Sequence, residues 1–184
     1  MRLLPIFLGV AAALLVMGAA ATGSQPTART ADTPRKGHPA TVLRRSRDLW
    51  ATVNVCDTAK HPNTIGIRGS MPGLGSRRTT LQMRFQVQYK AKDGKWHNTD
   101  SSADSGYKTV GRTRTKVRES GQDFKFLPPG GGGAFTLRGS IRFRWLSHGR
   151  TVRRARRLSE AGHRSTAGAD PEGYSAARCQ ITQP

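Results

Sequence analysis

Two stretches of strict alternation constrain this chain more than any other feature. Leu81, Met83, Phe85, Val87 and Tyr89 are apolar, with Gln82, Arg84, Gln86 and Gln88 between them. Phe135, Leu137, Ile141, Phe143 and Trp145 repeat the pattern, with Gly139 in register and Thr136, Arg138, Ser140, Arg142 and Arg144 interleaved. Successive side chains of a strand point to opposite faces, so each stretch sends one row into a core and the other into water. Helical spacing would smear both rows around an axis. Shorter extended runs flank them at 49–56, 64–69, 95–98, 107–117, 122–127, 151–158 and 174–181. Asp93-Gly94 and His148-Gly149 mark tight turns, and Pro72-Gly73-Leu74-Gly75 and residues 128–133 mark loops. With no amphipathic helix and no solenoid-length repeat, the expectation is an all-β fold, a sandwich of about 7–9 antiparallel strands.

The chain is longer than that domain needs, and the excess lies at the front. Met1-Arg2, the apolar run from Leu3 to Gly18 and the small residues Gly18-Ala19-Ala20-Ala21 have the order of a secretory signal peptide. Residues 1–21 are assigned to it, the alternative being a retained anchor helix. Residues 22–47 are rich in Thr, Ala, Pro, Arg and Ser and poor in aliphatic side chains. Too little apolar surface is available there to offset ordering, so they read as a basic linker. The β-sandwich domain is placed at 48–184. No later segment is long and apolar enough to span a membrane, so the expected location is extracytoplasmic, secreted or in the cell envelope. In such a compartment the only two cysteines, Cys56 and Cys179, are expected to form a disulfide.

A family likeness enters on three segments. Residues 84–89 followed by Asp93-Gly94-Lys95-Trp96 resemble the C strand and hairpin of fibronectin type III and immunoglobulin-like modules. The stretch from Phe135 through Trp145 into His148-Gly149 and Thr151 resembles their F–G hairpin, and Tyr174 before Cys179 resembles the tyrosine-before-cysteine end of such strands. The likeness departs from the family in the 159–172 connection and in the spacing of that last pair. It implies a binding or spacer scaffold and brings no functional residues with it.

Motifs of catalysis and metal binding are missing. His38, His61, His97, His148 and His163 fall in loop-like contexts with no paired spacing, and no Cys-x-x-Cys occurs. Ser105-Gly106-Tyr107-Lys108 fits Ser-x-x-Lys but stands without the companion elements that chemistry requires. Asp100, Ser102 and Asp104 alternate as in a calcium loop, yet the sixth residue is Ser105 and the twelfth Gly111, where Gly and Glu are needed. Gly130 to Gly133 lack a following Lys-Ser/Thr and helix, so they are no phosphate cradle. No metal and no cofactor is expected, and the chain reads as a non-enzyme.

Charge is what remains. Lys plus Arg number 31 against 11 Asp plus Glu, a formal net charge of +20. Alternation puts Arg138, Arg142 and Arg144 on the water side of their strand. Lys108, Arg112, Arg114, Lys116 and Arg118 share one parity of 107–117, and Arg150, Arg153, Arg154, Arg156 and Arg157 crowd the strand after the last turn. Were these strands neighbours, the result would be a basic plate suited to phosphate, sulfate and carboxylate groups. Arg138, Arg142, Arg144, Arg112, Arg114, Lys116, Arg153, Arg154, Arg156 and Arg157 are the candidate anion-binding residues; the plain alternative is a solvated face. With most aromatics on the buried parity, Trp50 and Trp96 excepted, base stacking has few platforms, so sequence-specific nucleic-acid reading is disfavoured. The expected activity is an exported interaction module holding an anionic cell-wall polymer or other polyanion. A protein-binding or inhibitory domain acting through loops 70–78 or 128–134 is the alternative, with a hydrolase third.

Overall fold

The computed structural model describes residues 46–75, 78–127 and 130–182. The expected signal segment, and the linker up to residue 45, lie outside the described residues. Among the described residues nine strands follow one another: β1 (Trp50–Cys56), β2 (Thr64–Met71), β3 (Thr79–Lys90), β4 (Trp96–Asn98), β5 (Asp104–Thr113), β6 (Arg118–Lys125), β7 (Ala134–Ser147), β8 (Arg150–Leu158) and β9 (Cys179–Thr182). The only helical element among the described residues is a single 3-10 turn, Ser101–Ala103.

All sheet ladders are antiparallel, in two sheets. The smaller has the order β1-β2-β6, and the larger runs β4-β3-β7-β8, with β5 also on β3 and β9 also on β7. The fold is therefore the all-β sandwich the alternation implied. Leu81, Met83, Phe85 and Val87 from β3 and Ile141, Phe143 and Trp145 from β7 are fully buried, facing Val53, Ile65, Ile67 and Met71 of the smaller sheet. Trp145 satisfies its indole N–H on the Pro72 carbonyl at 2.7 Å, which lets the largest core side chain be buried without a stranded donor.

Two glycines set how closely the sheets approach. A Cβ on Gly139 of β7 would stand 2.7 Å from Cγ2 of Ile67 on β2, and one on Gly69 of β2 would stand 2.4 Å from Cδ1 of Ile141 on β7. Each sheet thus gives up a side chain where the other inserts an isoleucine. In β3 and β7 inward alternation gives out only at the strand ends. Tyr89 and Phe135, expected in the core, are 39% and 36% exposed. They lie beyond the overlap of the sheets and line a cavity of about 510 Å3 with Phe126, Leu127 and Leu137.

Two expected strands shift. The run 107–117 divides: β5 ends at Thr113, residues 114–117 turn, and β6 starts at Arg118. The run 174–181 contracts to a four-residue ladder, Cys179–Thr182, beside β7. Its forward part instead lies along β1, where Val53 and Ala176 exchange backbone hydrogen bonds at 2.9 and 3.0 Å and Asp170 N–H donates to Asn54 O at 2.9 Å. This connection covers the free edge of β1 and explains why all five interior residues of that strand are buried, polar Thr52 and Asn54 included. The Cys56–Cys179 disulfide joins β1 of one sheet to β9 of the other across a sequence separation of 123.

Candidate functional site: an arginine face on the larger sheet

Because the odd residues of β3 and β7 are buried, their even residues occupy the outer face. The register then fixes their neighbours. Arg84 of β3 stands opposite Arg142 of β7, which stands opposite Arg156 of β8. One row along, Gln82 stands opposite Arg144, and Arg144 opposite Arg154. Arg138 lies further down β7, opposite Gln88. Like charges placed directly across a ladder repel, and the outer face stacks three arginines in one such row.

Neutral groups orient several of these guanidiniums. Arg144 donates to Oε1 of Gln82 from Nε at 2.9 Å and from a terminal nitrogen at 2.6 Å. Nε of Arg138 donates to Oε1 of Gln88 at 2.9 Å, and Gln88 in turn donates to Asn98 at 2.8 Å. Nε of Arg156 donates to the Ser140 hydroxyl at 2.9 Å. Amide and hydroxyl oxygens fix an arginine without cancelling its charge. Aromatic rings add a second restraint: the Arg144 guanidinium lies 4.0 Å from the Tyr107 ring centre, and Arg138 and Arg178 lie 4.2 and 5.7 Å from that of Trp96.

The only carboxylate among the register-paired residues of this face is Asp104, opposite Gln86 on β5. It accepts two hydrogen bonds from Nε of Arg84 and one from Gln86 at 3.2 Å. The Arg84 hydrogen bonds hold its carboxyl below the usual carboxylate range, against a smaller opposing effect of burial. Burial, followed by the charges of Arg156 and Arg178, pushes the Arg138 guanidinium down from its ordinary value. Among the described residues the side chains of Arg142 and Arg154 make no hydrogen bond or ion pair, although the Arg142 charge adds to the effect that holds the Asp104 carboxyl down. Arg84, Arg142, Arg144, Arg154, Arg156 and Tyr107 border a depression of about 470 Å3.

The structure thus gathers Arg138, Arg142, Arg144, Arg154 and Arg156. Arg112 sits at the margin, its Nε on the Thr80 hydroxyl at 3.2 Å. Four candidates fall elsewhere. Arg153 and Arg157 pair with Trp145 and Ile141, the inward parity, and therefore point to the other side of β8; Nε of Arg157 donates to Leu49 O at 3.1 Å. Strand alternation separates residues that are adjacent in sequence. Arg114 and Lys116 belong to the turn after β5. The common parity expected for Lys108 through Arg118 also fails. An extra residue between Thr109 and Gly111 shifts the ladder, so Lys108 pairs with inward Met83 while Arg112 pairs with outward Thr80.

Arg84, Arg178, Tyr107 and Trp96 are the additions. Arg84 was legible from the alternation of 81–89. Trp96 is one of the two aromatics the alternation left open, and Tyr107 corrects the expectation that the others avoid this face, but a guanidinium already covers each ring. Trp50 lies apart, stacked on His163 at 4.3 Å between ring centres.

The other chemical motifs dissolve into structural roles. Ser105 accepts from the Phe85 N–H at 2.9 Å and donates to Gly106 O at 2.8 Å, which occupies its hydroxyl. Asp100 caps the 3-10 turn through the Ser102 N–H at 2.9 Å. Among the described residues no three His, Cys, Asp or Glu come together as a metal site, and no helix is long and apolar enough to cross a membrane. Compared with protein families, curated proteins and solved structures, the chain matches none.

Proposed function

We propose that this protein is a non-catalytic, exported interaction module of the cell envelope that holds an anionic polymer or surface on the outer face of its larger sheet. One observation carries the reading. Arg138, Arg144 and Arg156 are oriented by neutral acceptors, while Arg142 and Arg154 have none among the described residues. Five positive charges are therefore concentrated on a face holding one carboxylate, which Arg84 already occupies. A face that served only solubility would intersperse acids to relieve cross-strand repulsion. Pre-oriented, uncompensated guanidiniums are the arrangement that favours phosphate, sulfate or carboxylate ligands.

Export is supported by the signal-like start and by a cysteine pair used as a disulfide. The immunoglobulin-like resemblance is supported by strand order, since β3, β7 and β8 are neighbours in one sheet, as strands C, F and G are in that module.

Retention of the full chain on an anionic matrix tests the function. Release of counterions by about five guanidiniums lowers affinity on the order of a hundredfold between about 50 and about 200 mM salt. The same loss is expected when Arg142 and Arg144 are both changed to Gln. Retention that high salt and these substitutions leave unchanged overturns the proposal.

A further inference from the structure

The depression on the arginine face has a shape that selects among anions. Arg142 and Arg144 of β7 stand opposite Arg156 and Arg154 of β8, making a square of four arginines on adjacent strands. Arg84 and Tyr107 close the side toward β5. Nε of Arg156 is held by Ser140, which leaves its terminal nitrogens free of that anchor, while Gln82 holds Nε and one terminal nitrogen of Arg144 and leaves the other terminal nitrogen uncommitted. Arg142 and Arg154, diagonal to each other in the square, keep every guanidinium N–H uncommitted among the described residues. The roots of the four side chains are about 5 Å apart across the strands and about 7 Å apart along them. Arginine is long enough for all four heads to converge on one group.

We infer that this depression is a discrete site for a tetrahedral oxyanion, a phosphoryl or sulfuryl ester group of the bound polymer, and that it discriminates against carboxylate polymers. The inference rests on the polyanion-binding reading and names the chemistry of the ligand. A carboxylate is planar, so its two oxygens accept donors within one plane, and a single guanidinium edge can engage both of them at once. Four guanidiniums arriving from two strands would leave most of their donors unmatched around it. A phosphoryl or sulfuryl ester offers oxygens in several directions, so each strand can supply a donor to a different oxygen. Tyr107 covers a face of the Arg144 guanidinium and Gln82 holds its Nε edge, so Arg144 offers the ligand its remaining terminal nitrogen.

Four polymers of matched length test this on the full chain at one salt concentration: poly(glycerol phosphate), oligothymidylate, dextran sulfate and polygalacturonate. At least one of the first three should bind at least about tenfold more tightly than polygalacturonate, and which binds best names the source of the ester group. Inorganic phosphate should displace the bound polymer where acetate at equal ionic strength does not. The double variant Arg142→Gln, Arg154→Gln should lose the preference yet retain weak, salt-sensitive binding to all four through Arg138 and Arg178. An unchanged thermal midpoint, or a higher one, shows that it is folded. If polygalacturonate binds as tightly as every ester polymer, or if the double variant keeps the preference, the inference is overturned while polyanion binding stands. If none of the four binds, both fall.

Discussion

Arg84 on β3 and Asp104 at the start of β5 form a forked ion pair, with Nε donating to Oδ1 at 2.7 Å and to Oδ2 at 3.0 Å. The Asp104 side chain is only 11% exposed, and its second oxygen also accepts from Gln86. One carboxylate thus ties β5 to β3 and neutralises one end of the Arg84–Arg142–Arg156 row. Stability and binding pull against each other at this residue.

Asp104→Asn should lower stability by about 1–3 kcal/mol, because a charge-assisted pair is lost and Arg84 remains half-buried. The same change should tighten binding to dextran sulfate by adding one uncompensated charge. The pH dependence follows from the depressed carboxyl. Its folded value lies below its unfolded one, so the contribution is complete above about pH 4 and is lost as pH falls through the folded value. Thermal midpoints and dextran sulfate titrations from neutral pH downward should move in opposite directions across that acid window.

Arg142→Gln should raise the thermal midpoint. The substitution removes the middle charge of three directly opposed arginines, a relief of about 0.2–1 kcal/mol that shrinks as salt is added. A lower midpoint at low salt would show that Arg142 makes a stabilising contact and that the face is not strained by its own charge.

Gly139→Val should destabilise by about 1–3 kcal/mol through overpacking, since the new side chain enters space held by Ile67. Adding Ile67→Ala should recover part of the loss. A double-mutant cycle showing strict additivity would contradict the contact.

Replacing Cys56 and Cys179 by Ser should cost about 2–5 kcal/mol, because a cross-link over a separation of 123 restricts the unfolded chain heavily. Chemical denaturation of this variant against the parent, both without reductant, measures the difference.

His163 stacks on Trp50, and burial lowers its pKa, partly offset by Glu160 and Glu119. Folding therefore favours the neutral ring. Its contribution is complete above about pH 6.5, the unfolded value, and is lost as pH falls toward the folded value. His163→Phe keeps the stack and should flatten stability across that window. An unchanged slope would assign it to another group.

The strands with the plainest alternation were the most legible. Residues 81–89 and 135–145 could be read because both lie in the middle of a sheet and their own inward rows carry no polar side chain. The disulfide was legible as well, as the only pairing two cysteines allow. Residues 107–117 misled. Gly111 and the extra residue beside it reverse the alternation within β5, and nothing in an outward-looking edge strand fixes its phase. The arginines of 150–157 were too generously assigned to one face. Val152 is the residue by which the β7–β8 register slips, and beyond it alternation sends Arg153 and Arg157 away from Arg154 and Arg156.

Local order of residues determined the fold class, the buried rows and the presence of outward arginines on β7, because side-chain direction along a strand is set by a period of two. Which arginines confront one another was decided by pairing β7 with β3 on one side and β8 on the other. That pairing depends on contacts between residues far apart in the chain, and no local pattern encodes it. The same pairing brought Gln82, Gln88 and Ser140 beneath their guanidiniums, turning a count of positive charges into an oriented surface.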